Sequence, residues 1–126
     1  MSEIFVPGTA NAGTELEFPT LNAFVQFLGS VYARQVADQH DLVWCPQWWR
    51  HPEAFLRLLA LHRAFEFLRR DATTGLSAWW IDHADKHMAK LFDPRGPFKY
   101  CSVRNGHKNM LPVLPIEGAP PSTPLG

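Results

Sequence analysis

The sequence predicts an all-α fold: a small three-helix domain with a Trp-rich turn, a C-terminal loop and a Pro-rich tail, fastened by zinc. Three observations predict it. Apolar residues recur at helical spacing in three segments. Proline, glycine and aspartate punctuate the stretches between them. Two cysteines and a closely spaced histidine pair supply one metal's worth of soft and borderline ligands.

The first helix is predicted from Thr20 to Asp38. Leu21, Phe24, Val25, Leu28 and Tyr32 make its apolar stripe and Thr20 suits the N-cap. The run DLVWCPQWWRHPE follows, with three Trp, one Cys and two Pro, and reads as a compact aromatic turn plugging one end of the core. Pro52 suits the first position of a second helix, Pro52–Arg70, and Glu53 suits its positive end. Phe55, Leu58, Leu59, Leu61, Phe65 and Leu68 form the broad apolar face of that helix. DATTGL breaks it. A third helix is predicted to start at Ser77, with Leu76 and Ile81 as a hydrophobic staple, and to stop at Asp93-Pro94. Its apolar stripe is Trp80, Ala84, His87 and Leu91.

The flanks divide the chain. Residues 1–18 carry Glu3, Glu15 and Glu17 without Lys or Arg and read as a flexible acidic leader. Residues 19–111 are the helical metal-binding domain. Residues 112–126, with Pro112, Pro115, Pro120, Pro121 and Pro124, read as a disordered tail.

Bulk properties bound the function. The 126 residues suit one domain, and 46% hydrophobic content supplies one core, marginal enough that a metal would help it. Twelve basic residues balance twelve acidic ones, so no global field pulls the chain toward nucleic acid or membrane. No apolar run is long enough to span a bilayer, and no signal-peptide pattern opens the chain. A cytoplasmic location is therefore expected, where two cysteines are free or metal-bound rather than bridged.

His83 and His87, spaced i,i+4 in H-A-D-K-H, project from neighbouring turns of one helix face. With Cys45 and Cys101 they would complete a two-cysteine, two-histidine zinc site. Asp82 and Asp85 stand near enough to accept the ring N–H groups. His107 and His51 are reserve ligands. A catalytic zinc would need an open position and a base, and Ala84 stands where a metalloprotease helix places Glu. Residues 95–108 hold Arg95, Lys99, Arg104 and Lys108, interleaved with Phe98 and Tyr100 and without an acid, a composition able to contact nucleic acid. The five tryptophans read as core, with an exposed pair as the sharper alternative.

In order along the chain stand WCP-x-WW, an H-P-E helix start, S-x-WW-x-DHAD-x-H and GPF-x-x-C. With these motifs the sequence over residues 20–115 resembles the domain of unknown function numbered 4913 of actinobacteria, their phages and plasmids. The resemblance implies that Cys45, His51, His83, His87 and Cys101 lie within the family's own motifs, which favours metal binding. It also implies a setting in mobile genetic elements or their hosts, and no assigned activity. The function expected is a zinc-fastened, non-enzymatic binding or adaptor module with a protein or nucleic-acid partner. A metal-dependent hydrolase or nuclease using His83, His87 and Asp85, and a structural component of an assembly, are the alternatives.

Overall fold

A computed structural model describes residues 15–36, 41–109 and 113–124. The end of the first predicted helix and most of the acidic leader lie outside the described residues.

Helix α1, Leu21–Val36, begins as expected: the Thr20 hydroxyl accepts the Ala23 N–H at 3.1 Å, which satisfies a donor the helix cannot. Phe24, Val25, Leu28 and Tyr32 are buried along one face. The chain then enters the tryptophan turn, where the Val43 N–H donates to the Phe92 carbonyl at 2.9 Å and pins the segment to the end of the third helix. A single 3-10 turn, Trp48–Arg50, leads directly into α2, Pro52–Leu68. Pro52 sits in its first turn and Glu53 pairs with Arg57 at 2.9 Å.

Helix α2 is central, packing against α1, the tryptophan turn and every part of the third helix. Its buried face differs from the expected one. Leu58, Leu61 and Phe65 are buried, but Phe55 is exposed, and Ala54, His62 and Glu66 take the remaining inward positions. The substitution of polar for apolar residues has a physical reason. His62 stacks on Phe24 (centroids 4.7 Å, 16° between planes) and its Nε2 meets the Phe18 carbonyl at 3.0 Å. Glu66 accepts the Glu17 and Phe18 backbone N–H groups at 2.9 and 3.0 Å and the Arg69 Nε–H at 3.0 Å. Arg69 in turn donates to the Glu15 carbonyl. Residues 15–18 of the expected leader are thus clasped to α2, with Phe18 stacked on Phe27 at 5.1 Å.

The third helix is one rod over residues 75–92, made of α3 (Gly75–Trp79), a π turn (Trp80–Ala84) and α4 (Asp85–Phe92). It starts before Ser77, because the Asp71 carboxylate gathers the N–H and hydroxyl groups of Thr73 and Thr74 and stabilises an earlier start. Gly75 is required there: a Cβ would lie 1.8 Å from the Leu68 carbonyl oxygen. Ile81 is 61% exposed, so it does not staple Leu76. The π turn inserts one residue into the helical phase. The buried stripe consequently runs Trp79, Ala84, Met88, Leu91 rather than Trp80, Ala84, His87, Leu91. Trp79 is fully buried and donates its Nε1–H to the Leu61 carbonyl at 3.0 Å, satisfying its polar handle.

After Asp93 the chain makes tight turns through Phe98, which is fully buried against Trp44 at 5.0 Å. Residues 113–124 carry no helix or strand and are exposed. Among the described residues no helix is long and apolar enough to cross a membrane.

Candidate metal centre

Two copies of one spacing, Cys-x5-His, meet at the end of the bundle: Cys45 with His51, and Cys101 with His107. In the first copy the 3-10 turn folds Cys45 back against His51, the residue before α2. In the second a miniature hairpin does so. Ser102 and Gly106 exchange backbone hydrogen bonds at 3.2 and 2.9 Å, the Ser102 hydroxyl accepts the Asn105 N–H at 2.8 Å, and Gly106 adopts a positive φ of 79° that glycine tolerates. The Cys101 N–H donates to the Phe98 carbonyl at 2.9 Å, which closes the turn that presents the cysteine.

The four ligand atoms lie within 4.8 Å of one another, and Cys45, His51 and Cys101 are buried. His51 Nε2 is 3.2 Å from His107 Nδ1. The Cys45 Sγ is 3.3 Å from His107 Nδ1, and the Cys101 Sγ is 3.5 Å from His51 Nε2 and 3.9 Å from His107 Nδ1. A tetrahedral ion with bonds of about 2.0–2.1 Å to nitrogen and about 2.3 Å to sulfur has edges of about 3.3 Å (N–N) and about 3.6 Å (N–S). These four separations match those edges to within a few tenths of an ångström, and all six pairs lie within 4.8 Å.

The outward hydrogen bonds favour a cation at the centre. His107 Nε2 faces Asn109 Oδ1 at 3.0 Å, and the His51 ring meets the Pro97 backbone, whose one polar group is a carbonyl. If each neutral ring spends its N–H outward, both inward nitrogens present lone pairs to each other, an arrangement a cation relieves. The sulfurs are dressed the same way: the Lys108 N–H donates to the Cys101 Sγ at 3.3 Å, and the Gln47 backbone donates to Cys45. Burial, with Cys101 alongside, pushes the Cys45 thiol up to about 12, while burial and the neighbouring His107 hold His51 below its usual value. A divalent ion reverses the thiol's preference, because a coordinated thiol is deprotonated outright. The residues present can therefore hold a metal ion.

The geometry unites the two expected sulfurs with the two reserve histidines, not with the helical pair. His87 Nδ1 accepts from Arg57 at 3.1 Å, and the Arg57 Nε in turn is held by Glu53 at 2.9 Å. His83 neighbours His87 on the rod and joins no ligand group among the described residues. Burial, then Arg57 and His83, hold His87 below its usual value, so it sits neutral against a guanidinium. Asp82 and Asp85 are exposed on the same rod, and neither is bonded to a ligand histidine among the described residues. Arg95 is tied to Asp93 at 3.3 Å.

An apolar cavity of about 440 Å³ lies between α1 and α4, lined by Leu28, Tyr32, Trp44, Met88, Phe92 and Val103. Trp44 and Val103, close in sequence to Cys45 and Cys101, stand in its wall, and the Tyr32 phenol is the titratable side chain among its lining residues.

Residues 18–120 match the family model described as domain of unknown function DUF4913. No curated protein matches the chain, and no solved structure does.

Proposed function

The chain belongs to the DUF4913 family, and from that premise we propose that it is a zinc-fastened, non-enzymatic binding module of a phage, plasmid or actinobacterial host. The observation that carries the reading is the near-tetrahedral set Cys45, His51, Cys101 and His107. Four protein ligands fill a tetrahedral shell and leave no position for a substrate or an activated water, which is the mark of a structural site. Mixed thiolate and imidazole ligands favour zinc among abundant divalent ions.

The placement of the ligands says what the metal does. Cys45 lies in the tryptophan turn, His51 opens α2, and Cys101 and His107 bracket the terminal hairpin. One ion would tie together three segments of chain between which no strand pairing runs among the described residues. Binding free energy at such a site is folding free energy. The experiment is thermal unfolding followed by circular dichroism, with and without a strong chelator. The reading expects chelation to abolish the cooperative transition or lower its midpoint sharply, and zinc to restore it. An unchanged transition would contradict it.

A further inference from the structure

The residues that flank the four ligands share a character that holding a metal does not require. Before His51 stand Trp49, 56% exposed, and Arg50. Before Cys101 stand Lys99 and Tyr100, 65% exposed. Arg104 occupies the tip of the hairpin and Lys108 follows His107. Each is within three residues of a ligand, and the ligand atoms converge within 4.8 Å, so all six surround one end of the molecule. Among the described residues no carboxylate pairs with Arg50, Lys99, Arg104 or Lys108. The sequence has no acid between Asp93 and Glu117.

Tyr100 is held in an unusual way. Its φ is +76°, the left-handed region in which a bulky side chain is an outlier. The strain is not compensated by burying the ring: its neighbour Phe98 is fully buried, whereas Tyr100 points to water. Lys99 Nζ lies 5.2 Å from the Tyr100 ring centroid, over one face. Such outliers persist where surrounding structure over-determines them, and they concentrate at binding surfaces. Cys101 beside it, a candidate metal ligand whose N–H is held by the Phe98 carbonyl at 2.9 Å, is the element that would over-determine this backbone.

Resting on the zinc reading, we propose that this end of the molecule binds single-stranded nucleic acid. Bases stack on Tyr100 and Trp49, and the phosphates run along Arg50, Lys99, Arg104 and Lys108. Exposed aromatics on a rigid platform, interspersed with cations that meet no carboxylate among the described residues, are the two elements that sequence-tolerant single-strand binding needs. The overall charge balance of the chain keeps the attraction local to this end.

The test is fluorescence anisotropy with a labelled oligothymidylate of about 16 nucleotides, on protein whose metal content is measured in the same preparation. Four phosphate contacts predict a log–log salt slope of about −3, a loss of roughly fiftyfold between about 50 and about 200 mM salt. The triple variant Lys99→Ala, Arg104→Ala, Lys108→Ala should flatten the slope to about −0.7. Tyr100→Ala should weaken binding roughly tenfold without changing the slope. Arg63→Ala with Arg70→Ala, twelve or more residues along α2 from His51 and hence roughly 18 Å or more away, should leave binding unchanged. Metal-loaded protein that does not bind overturns this proposal and leaves the zinc reading standing. Tighter binding to the matching duplex, insensitivity to Tyr100→Ala, or equal binding after chelation also overturns it. Folded protein without metal overturns the zinc reading itself.

Discussion

His51 Nε2 and His107 Nδ1 face each other at 3.2 Å although 56 residues separate them along the chain. The contact is made by a turn that opens a helix and by a hairpin that closes on it, and both cysteines stand beside it. Local spacing on one helix does not produce this set; long-range folding does.

The first prediction separates the two histidine pairs. His51→Ala or His107→Ala should abolish stoichiometric metal binding, because three ligands hold zinc far less tightly than four. His83→Ala with His87→Ala should retain the metal, since His87 is engaged with Arg57. Colorimetric zinc release after thiol modification reads all three variants. Retention in His107→Ala with loss in the His83/His87 variant would restore the helical pair as ligands.

How much of this was legible follows from the range of each interaction. The α1 stripe depends on i,i+3 and i,i+4 neighbours, and Phe24, Val25, Leu28 and Tyr32 are buried as their spacing predicts. The third helix was displaced by one residue, because no residue type announces a π turn and Trp79 and Trp80 are chemically equivalent candidates for the core. The buried His62 and Glu66 were hidden because their partners, the Phe18 carbonyl and the Glu17 and Phe18 N–H groups, lie 44 to 49 residues away. For the metal centre, the cysteines were legible as rigidly held thiols. The i,i+4 pair His83 and His87 is a local pattern that spacing alone favours, whereas His51 and His107 meet only through long-range folding. The repeated Cys-x5-His spacing was present in the sequence and would have named His51 and His107.

The second prediction concerns acid. Burial raises the Glu66 carboxyl, but the Phe18 and Glu17 N–H groups, Arg69 and His62 outweigh it and hold it below its ordinary 4.5. The unfolded chain therefore takes up this proton first. The stabilisation is complete above pH 4.5 and is lost as pH falls through the lower folded value. His87, also held below its ordinary 6.5, acts in the same direction and starts earlier, as pH drops below 6.5. Urea unfolding across this range should show stability falling in both windows. Glu66→Gln should shrink the lower one, leaving the part that Asp71 and Asp93, also held below their ordinary values, contribute. It should also cost about 1–3 kcal/mol at neutral pH, because buried Arg69 loses one carboxylate hydrogen bond while keeping Glu17 at 3.7 Å. An acid limb unchanged in Glu66→Gln would show that the N-terminal clasp is not electrostatic.

The third prediction is steric. Gly75→Ala places a methyl group 1.8 Å from the Leu68 carbonyl, backbone that cannot step aside without moving the end of α2. Overpacking of this kind costs about 1–3 kcal/mol, measurable as a lowered urea midpoint at constant slope. Equal stability of Gly75→Ala would mean that the joint between α2 and the rod is looser than described.

The central claim is that one metal ion joins Cys45, His51, Cys101 and His107, and elemental mass spectrometry of the purified protein and of Cys45→Ser tests it most directly. The account predicts one zinc per folded wild-type chain and none in the variant. A cooperatively folded wild type free of metal, or a Cys45→Ser variant that keeps its full zinc, would contradict it.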